Sequence, residues 1–114
     1  RVQLAHAEQV MRARVLEALM RGGVTIVDPA ATYVDVDVQV GQDTTLFPGT
    51  MLRGATRVGS RCVVGPHTSL VDTIVADGAR LRYVMAEGVT IAAEADIGPF
   101  VHLQAELPTA ARVD

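Results

Sequence analysis

The chain has 114 residues, of which 49% are hydrophobic and 20% charged, and its formal net charge is −3. This composition excludes a disordered tail, because disordered segments combine low hydrophobicity with high net charge. All ten basic residues are arginine, and they form no basic stripe interleaved with aromatic residues, so we expect no nucleic-acid partner.

Membrane insertion and secretion are not expected either. The sequence contains no apolar run of about 18 residues and no signal-peptide pattern. The single cysteine, Cys62, cannot form an internal disulfide, which favours a reducing, cytoplasmic location. Because the chain begins at Arg1 and runs directly into a helical pattern, we interpret it as a piece of a longer protein or as a chain whose beginning is missing.

Residues 1–23 are predicted to form a connector helix. The stretch 2–21 contains no glycine or proline and is rich in strong helix formers. One apolar stripe recurs at steps of three and four, at Leu4, Ala7, Met11, Val15, Ala18 and Leu19. Gly22 and Gly23 provide the left-handed stop that commonly ends a helix. A helix that docks a partner is the alternative interpretation.

Residues 24–33 are predicted to be an extended linker, because Pro29 blocks a helix through Asp28. From residue 34 onward a large aliphatic residue recurs every six positions, at Val34, Val40, Leu46, Leu52, Val58, Val64 and Leu70. A second frame of the same period contains Met85, Ile91, Ile97 and Leu103, and the two frames are bridged by Val75 and Leu81.

The six-residue period predicts the fold class. Small or β-branched residues lie four positions after most anchors, and glycines follow several anchors directly, as at Gly41 and Gly59. Short strands separated by sharp corners wind a chain into coils whose aliphatic residues stack inside a narrow prism. This is the signature of a hexapeptide parallel β-helix. We therefore predict a mainly β protein with one N-terminal helix.

The predicted prism covers residues 34–103 in roughly four coils. The two changes of phase are interpreted as small loops pushed out of corners, at residues 71–74 and 81–85. Residues 104–114 are predicted to be an irregular tail, because no hexapeptide follows Leu103. Stacked coils leave open edges, so end caps and contacts between chains are expected.

The repeat resembles the hexapeptide acyltransferases, which implies a left-handed, single-stranded prism that forms homotrimers. A closer resemblance is carried by three stretches: RVQLAHAEQVMRARVLEALMRGGVTIVDPAATYVDVDVQVGQDT, VGPHTSLVDTIVADGARL and ADIGPFVHL. They look like the connector and first coils of the bifunctional N-acetylglucosamine-1-phosphate uridyltransferase/glucosamine-1-phosphate N-acetyltransferase family. The resemblance covers residues 1–103.

The resemblance implies a parent enzyme that makes UDP-N-acetylglucosamine, a precursor of the bacterial cell wall, in two steps. One domain would acetylate glucosamine-1-phosphate with acetyl-CoA, and the other would transfer UMP from UTP with Mg²⁺. The nucleotidyltransferase domain would precede Arg1, and most acetyl-transfer residues would follow the last residue here. We therefore expect no catalytic residue, no metal ligand and no bound cofactor in this segment itself.

One position of the family's sugar-phosphate site falls within the chain. The family continues from its IGPF coil to an LRPG motif, whose arginine contacts the phosphate. Here Gln104 stands at the position of that arginine, Ala105 at that of the proline and Glu106 at that of the glycine. Glutamine cannot make the charge-assisted, bidentate contact of an arginine, so acetyl transfer by this chain alone is in question.

The remaining candidates for chemistry have plain structural interpretations. His6 is expected on the helix surface, and a metal site shared by His67 and His102 is a minor alternative to ordinary surface positions. Cys62 is expected to be a small buried residue rather than a nucleophile. Asp35 and Asp37 are interpreted as a solvated face, with acid/base work as the alternative.

The arginines of the repeat are interpreted as surface charge. Arg80 and Arg82 flank Leu81, so either an ion pair or a small anion-binding patch is possible. Arg53, Arg57 and Arg61 follow one another at steps of four.

Three functional hypotheses follow. The preferred one is an architectural and trimerising segment of the bifunctional enzyme, with small-molecule sugar phosphates as substrates of the parent. A non-catalytic hexapeptide module for oligomerisation is the second, and another hexapeptide acyltransferase is the third.

Overall fold

The structure, a computed structural model, describes residues 2–105. It begins with one long helix, α1 (Val2–Arg21), which ends at Gly22 and at Gly23, whose φ is +98°. A short 3₁₀ helix spans Pro29–Ala31, and its preceding residue Asp28 accepts a hydrogen bond from the Ala30 N–H. No helix of the described residues is long and apolar enough to cross a membrane.

The rest of residues 2–105 forms fourteen short strands joined by tight corners. In chain order they are β1 (Thr25–Ile26), β2 (Tyr33–Val34), β3 (Gln39–Val40), β4 (Thr45–Leu46), β5 (Met51–Arg53), β6 (Arg57–Val58), β7 (Val63–Val64), β8 (Ser69–Val71), β9 (Ile74–Val75), β10 (Arg80–Leu81), β11 (Val84–Glu87), β12 (Thr90–Ile91), β13 (Asp96–Ile97) and β14 (Val101–Gln104).

Every third strand stacks on the same face of a prism. Sheet 1 has the order β1-β4-β7-β10-β13, sheet 2 the order β2-β5-β8-β11-β14, and sheet 3 the order β3-β6-β9-β12. All strand pairs within the sheets are parallel. This confirms the predicted fold class, a left-handed parallel β-helix preceded by one helix. The stack has about five turns rather than four.

The additional turn begins inside the stretch expected to be a linker. Thr25 and Ile26 pair with Thr45 and Leu46, so this stretch contributes the first strand of sheet 1. Ile26 is 8% exposed and belongs to the core. At the other end, β14 includes Gln104, one residue beyond the predicted limit at 103. Residues 106–114 of the expected tail lie outside the described residues.

The first predicted frame of anchors lines the interior. Six of its seven members are at most 4% exposed and Val40 is half-buried; the six are Val34, Leu46, Leu52, Val58, Val64 and Leu70. A second, smaller residue lies two positions before each anchor and is also buried, as at Thr44, Thr50, Thr56, Cys62 and Thr68. Each strand therefore contributes two side chains to the core.

The second frame is wrong at its first member. Met85 is 54% exposed and lies on the outer face of sheet 2, whereas its neighbour Ala86 is fully buried and pairs with Leu70. The other members, Ile91, Ile97 and Leu103, do pack in the core or against it. A large residue at the predicted position had concealed a small one that carries the frame.

The predicted loops at 71–74 and 81–85 are also wrong. Stacked anchors lie 18 residues apart from Val40 to Val58, 17 from Val58 to Val75 and 16 from Leu70 to Ala86. The changes of phase are therefore shortened corners, since each turn loses residues instead of gaining them. The sequence between two anchors cannot extrude a loop when it is shorter than the regular repeat.

Threonine hydroxyl groups link neighbouring coils inside the prism. Thr50 Oγ1 donates to the Phe47 carbonyl at 2.7 Å and also lies 3.2 Å from the Val64 carbonyl of the next coil. Thr44 Oγ1 accepts from the Cys62 N–H at 3.1 Å. Among the described residues, no buried side-chain nitrogen or oxygen lacks a hydrogen-bond partner.

Corners are tight enough to require glycine. A Cβ atom built on Gly41 would lie 2.7 Å from the backbone carbon of Gly59 and from the backbone nitrogen of Ser60. Carboxylates complete other corners, since Asp77 accepts from the Ser60 N–H at 2.9 Å and Asp72 from the Ala55 N–H at 2.8 Å. Corner residues thus connect successive turns as well as reversing the chain.

Helix α1 rests on the first coil by its C-terminal half. Leu16 is 5% exposed, and Val15 and Leu19 pack against the core, but Leu4 and Met11 are 64% and 57% exposed. The predicted apolar stripe is therefore only partly used, and the N-terminal half of α1 extends beyond its contacts with β1 and β2.

Candidate functional site

Gln104 projects from the outer face of sheet 2. It ends β14, is exposed, and pairs in register with Glu87 of the neighbouring strand. The Ala105 N–H donates to the Glu87 carbonyl at 3.2 Å, while Glu106 lies outside the described residues. A carboxylate beside a neutral amide repels a phosphate group, so this end of sheet 2 lacks the charge that phosphate recognition requires.

The candidate acid/base pair does not form. Asp35 Oδ2 accepts from the Gly54 N–H at 2.9 Å, which makes it a corner residue between two coils. Asp37 lies in the following turn and is exposed. A hydrogen bond to the Asp35 carboxylate, together with its negative charge, raises the pKa of Tyr33 above its usual value.

Cys62 has the structural role that was expected. Its side chain is fully buried, and Sγ lies 3.2 Å from the Ala76 carbonyl and 3.7 Å from the Ser60 carbonyl. These contacts place the thiol in the row otherwise occupied by threonine hydroxyl groups. A thiol enclosed among backbone carbonyls has no access to a substrate.

The histidines occupy different positions on the surface. His67 lies at the corner between sheets 1 and 2, His102 projects outward from β14, and His6 is exposed on α1. Within residues 2–105, no group of three or more His, Cys, Asp or Glu side chains is arranged to hold a metal ion. The described segment therefore does not fit the Mg²⁺ that the family resemblance implies for the parent.

The arginines lie on the outside, as predicted. Arg82 Nη1 donates to Asp96 Oδ1 at 2.9 Å, which is an exposed ion pair between neighbouring coils. Arg53 belongs to sheet 2, Arg57 to sheet 3 and Arg61 to a corner, so the three do not form one basic surface.

An aromatic corner was not predicted from the sequence. The His67 and Tyr83 rings are 5.5 Å apart between centroids, and the Tyr83 and Phe100 rings 5.1 Å. With Met85, Val101 and His102 they line a shallow cavity of about 310 Å³. Their spacings of 16 and 17 residues equal those of the shortened coils and would have revealed the corner had those coils been recognised.

A cleft between α1 and the start of sheet 2 is the other concave feature at this face. It has a volume of about 440 Å³, and its lining includes Met11, Arg12, Tyr33 and Val36. The Arg12 guanidinium lies 5.7 Å from the centroid of the Tyr33 ring, which is a cation–π contact that fastens the helix to β2.

No family model matches the chain. Curated proteins named "Bifunctional protein GlmU" do. The protein of Caldanaerobacter subterraneus subsp. tengcongensis is 42% identical over 106 residues, which are 93% of this chain and 23% of that protein. For Mycolicibacterium smegmatis the identity is 49% over 104 residues, or 91% of this chain and 22% of the relative.

The protein of Rubrobacter xylanophilus is 51% identical over 88 residues, which are 77% of this chain and 19% of that protein. The chain thus spans about a fifth of the length of the curated relatives it matches. These matches confirm the resemblance that the connector and coil motifs indicated.

Proposed function

Because this chain matches a segment of the bifunctional GlmU proteins, we propose that it is the connector and first coils of an enzyme that makes UDP-N-acetylglucosamine. The proposed parent acetylates glucosamine-1-phosphate with acetyl-CoA and then transfers a uridylyl group from UTP in the presence of Mg²⁺. The supporting observation is the combination of a helix docked on a parallel β-helix with identities of 42–51% to such proteins.

The proposed role of the segment is architectural. Helix α1 reaches away from the prism, so it can hold a preceding domain apart from the coils. The prism supplies rigid, parallel outer faces on which three chains associate. Coils with exposed apolar residues such as Met85 and Phe100 favour association between chains.

The segment is proposed to be catalytically incomplete. Gln104 and its neighbour Glu87 provide no positive charge for a sugar phosphate, and the described residues hold no metal cluster. The proposed location of the parent is the cytoplasm, which rests on its substrates and on the lone, buried Cys62.

The proposal is tested in the intact protein that encloses this segment. We expect a trimer by light scattering and acetylation of glucosamine-1-phosphate that is weak because of Gln104. The Gln104→Arg variant should raise kcat/KM for the phosphorylated sugar about tenfold or more, since arginine makes a bidentate phosphate contact. An Ile74→Arg variant on sheet 3 adds the same charge at a distant face and serves as control.

A strictly monomeric intact protein would contradict the assembly role. Acetyl transfer that is unchanged by Gln104→Arg would show that residue 104 does not contact phosphate. Activity toward a different amino sugar, and none toward glucosamine-1-phosphate, would instead support another hexapeptide acyltransferase.

The alternative is a non-catalytic hexapeptide module for oligomerisation, which the Gln104 position favours. The flanking reading frame discriminates the two. A glycine-rich nucleotide loop upstream with further hexapeptides downstream supports the enzyme, whereas stop codons on both sides support the module.

A further inference from the structure

Sheet 2 presents two columns of outward side chains that follow the stack of coils. The printed register places one column in the order Tyr33, Met51, Ser69, Met85, His102. The second column runs Asp35, Arg53, Val71, Glu87, Gln104. Met51 and Met85 are 38% and 54% exposed, which leaves apolar thioether side chains in water.

Both columns are self-complementary when their order is reversed about β8. Reversal places Met51 opposite Met85 and leaves Ser69 opposite itself. In the second column it places Arg53 opposite Glu87, so that charges of opposite sign meet, while Val71 meets its own copy.

The adjoining corner has the same property in shape. Backbone hydrogen bonds stack its residues in the order Ala31, Gly49, His67, Tyr83, Phe100. Reversal about His67 sets the Tyr83 ring against Gly49 and the Phe100 ring, which is 82% exposed, against Ala31. Large side chains then meet small ones along the whole edge of sheet 2.

We propose that sheet 2 is a contact face for a second copy of this chain, which packs on it with the coils running in the opposite direction. The two-fold axis lies between the faces and runs along β8. An isologous interface demands a surface that is complementary to itself, so that residue i contacts j and j contacts i. Two Arg53–Glu87 pairs and two Met51–Met85 contacts meet this condition.

The size of the face sets the strength of the association. Five strands spaced by about 4.8 Å and about six residues wide give a face of roughly 24 by 20 Å. That area is smaller than the roughly 800 Å² per partner of a standard interface. We therefore expect a weak dimer, with a Kd in the micromolar range or above.

This contact goes beyond the proposed function. Three-fold assembly of a parent enzyme aligns its prisms in one direction, whereas the contact on sheet 2 reverses them. Sheets 1 and 3 remain available for three-fold association.

The test is a charge exchange in the full 114-residue chain, followed by sedimentation equilibrium at several concentrations. Arg53→Glu alone and Glu87→Arg alone each set like charges opposite one another twice per dimer, so each should weaken association about tenfold. The double variant, Arg53→Glu with Glu87→Arg, restores opposite charges and should recover the original Kd.

Ile74→Arg is the matched control, because Ile74 is an outward apolar residue of sheet 3 and is 47% exposed. It should leave the Kd unchanged, and circular dichroism should show that every variant is folded. A chain that stays monomeric, or single variants not rescued by the double exchange, would overturn the inference. A trimer indifferent to these charges would overturn it too, yet would support the proposed function.

Discussion

At the scale of single residues, the interior threonines do two jobs with one side chain. The β-branched carbon suits an extended backbone, and the hydroxyl group satisfies carbonyls that a narrow prism would otherwise bury. Thr44, Thr50 and Thr56 are all fully buried and all hydrogen-bonded to backbone carbonyls. A core with few aromatic rings is thereby fastened by polar contacts between coils.

Replacing Thr50 with valine tests this role. The Thr50→Val variant keeps the shape of the side chain but leaves the carbonyls of Phe47 and Val64 without their donor, so unfolding free energy should fall by about 1–2 kcal/mol. Thr45→Val is the control, because Thr45 lies on the outer side of β4 and its replacement should change stability by less than about 0.5 kcal/mol. Urea titration followed by circular dichroism measures both, and equal losses would contradict the polar role of Thr50.

At the scale of the strands, the repeat determines which side chains face inward. Leu70→Ala removes a fully buried anchor and should cost about 2–5 kcal/mol, whereas Met85→Ala truncates an exposed side chain and should cost less than about 0.5 kcal/mol. Thermal unfolding of the two variants measures the difference. A large loss for Met85→Ala would restore the original frame and contradict the placement of Ala86.

The six-residue period was sufficient to predict the strands as far as Leu70, because each turn there has the regular length. Beyond Leu70 the corners shorten, and a period alone cannot show which of two adjacent residues, Met85 or Ala86, turns inward. The outward position of Gln104 follows from the resemblance, but its acidic neighbour Glu87 lies 17 residues away in sequence and became visible only through the register.

At the scale of the whole molecule, the prism is a one-dimensional stack in which each coil contacts only its neighbours. Leu46 and Val64 occupy the same position of successive coils. Deleting residues 47–64 therefore removes one complete turn and joins equivalent positions. We expect this shortened chain to fold, with a lower Tm because one layer of core is lost.

A deletion of half that stretch is the matched control. Removing residues 47–55 joins Leu46 to Thr56 out of phase, so inward and outward residues exchange places along every later strand. This variant should not fold, as judged by circular dichroism and gel filtration. Folding of the out-of-phase deletion, or unfolding of the complete-turn deletion, would contradict the modular stack.

The absence of tryptophan gives the two tyrosines an optical role, because they are the dominant intrinsic fluorophores of this chain. Tyr33 lies under the Arg12 guanidinium where the helix meets the prism, and Tyr83 lies between His67 and Phe100 near the opposite end of the stack. Replacing either tyrosine by phenylalanine leaves an emission signal from a single location. Detachment of the helix and loosening of the far coils can then be followed separately, without attaching a dye.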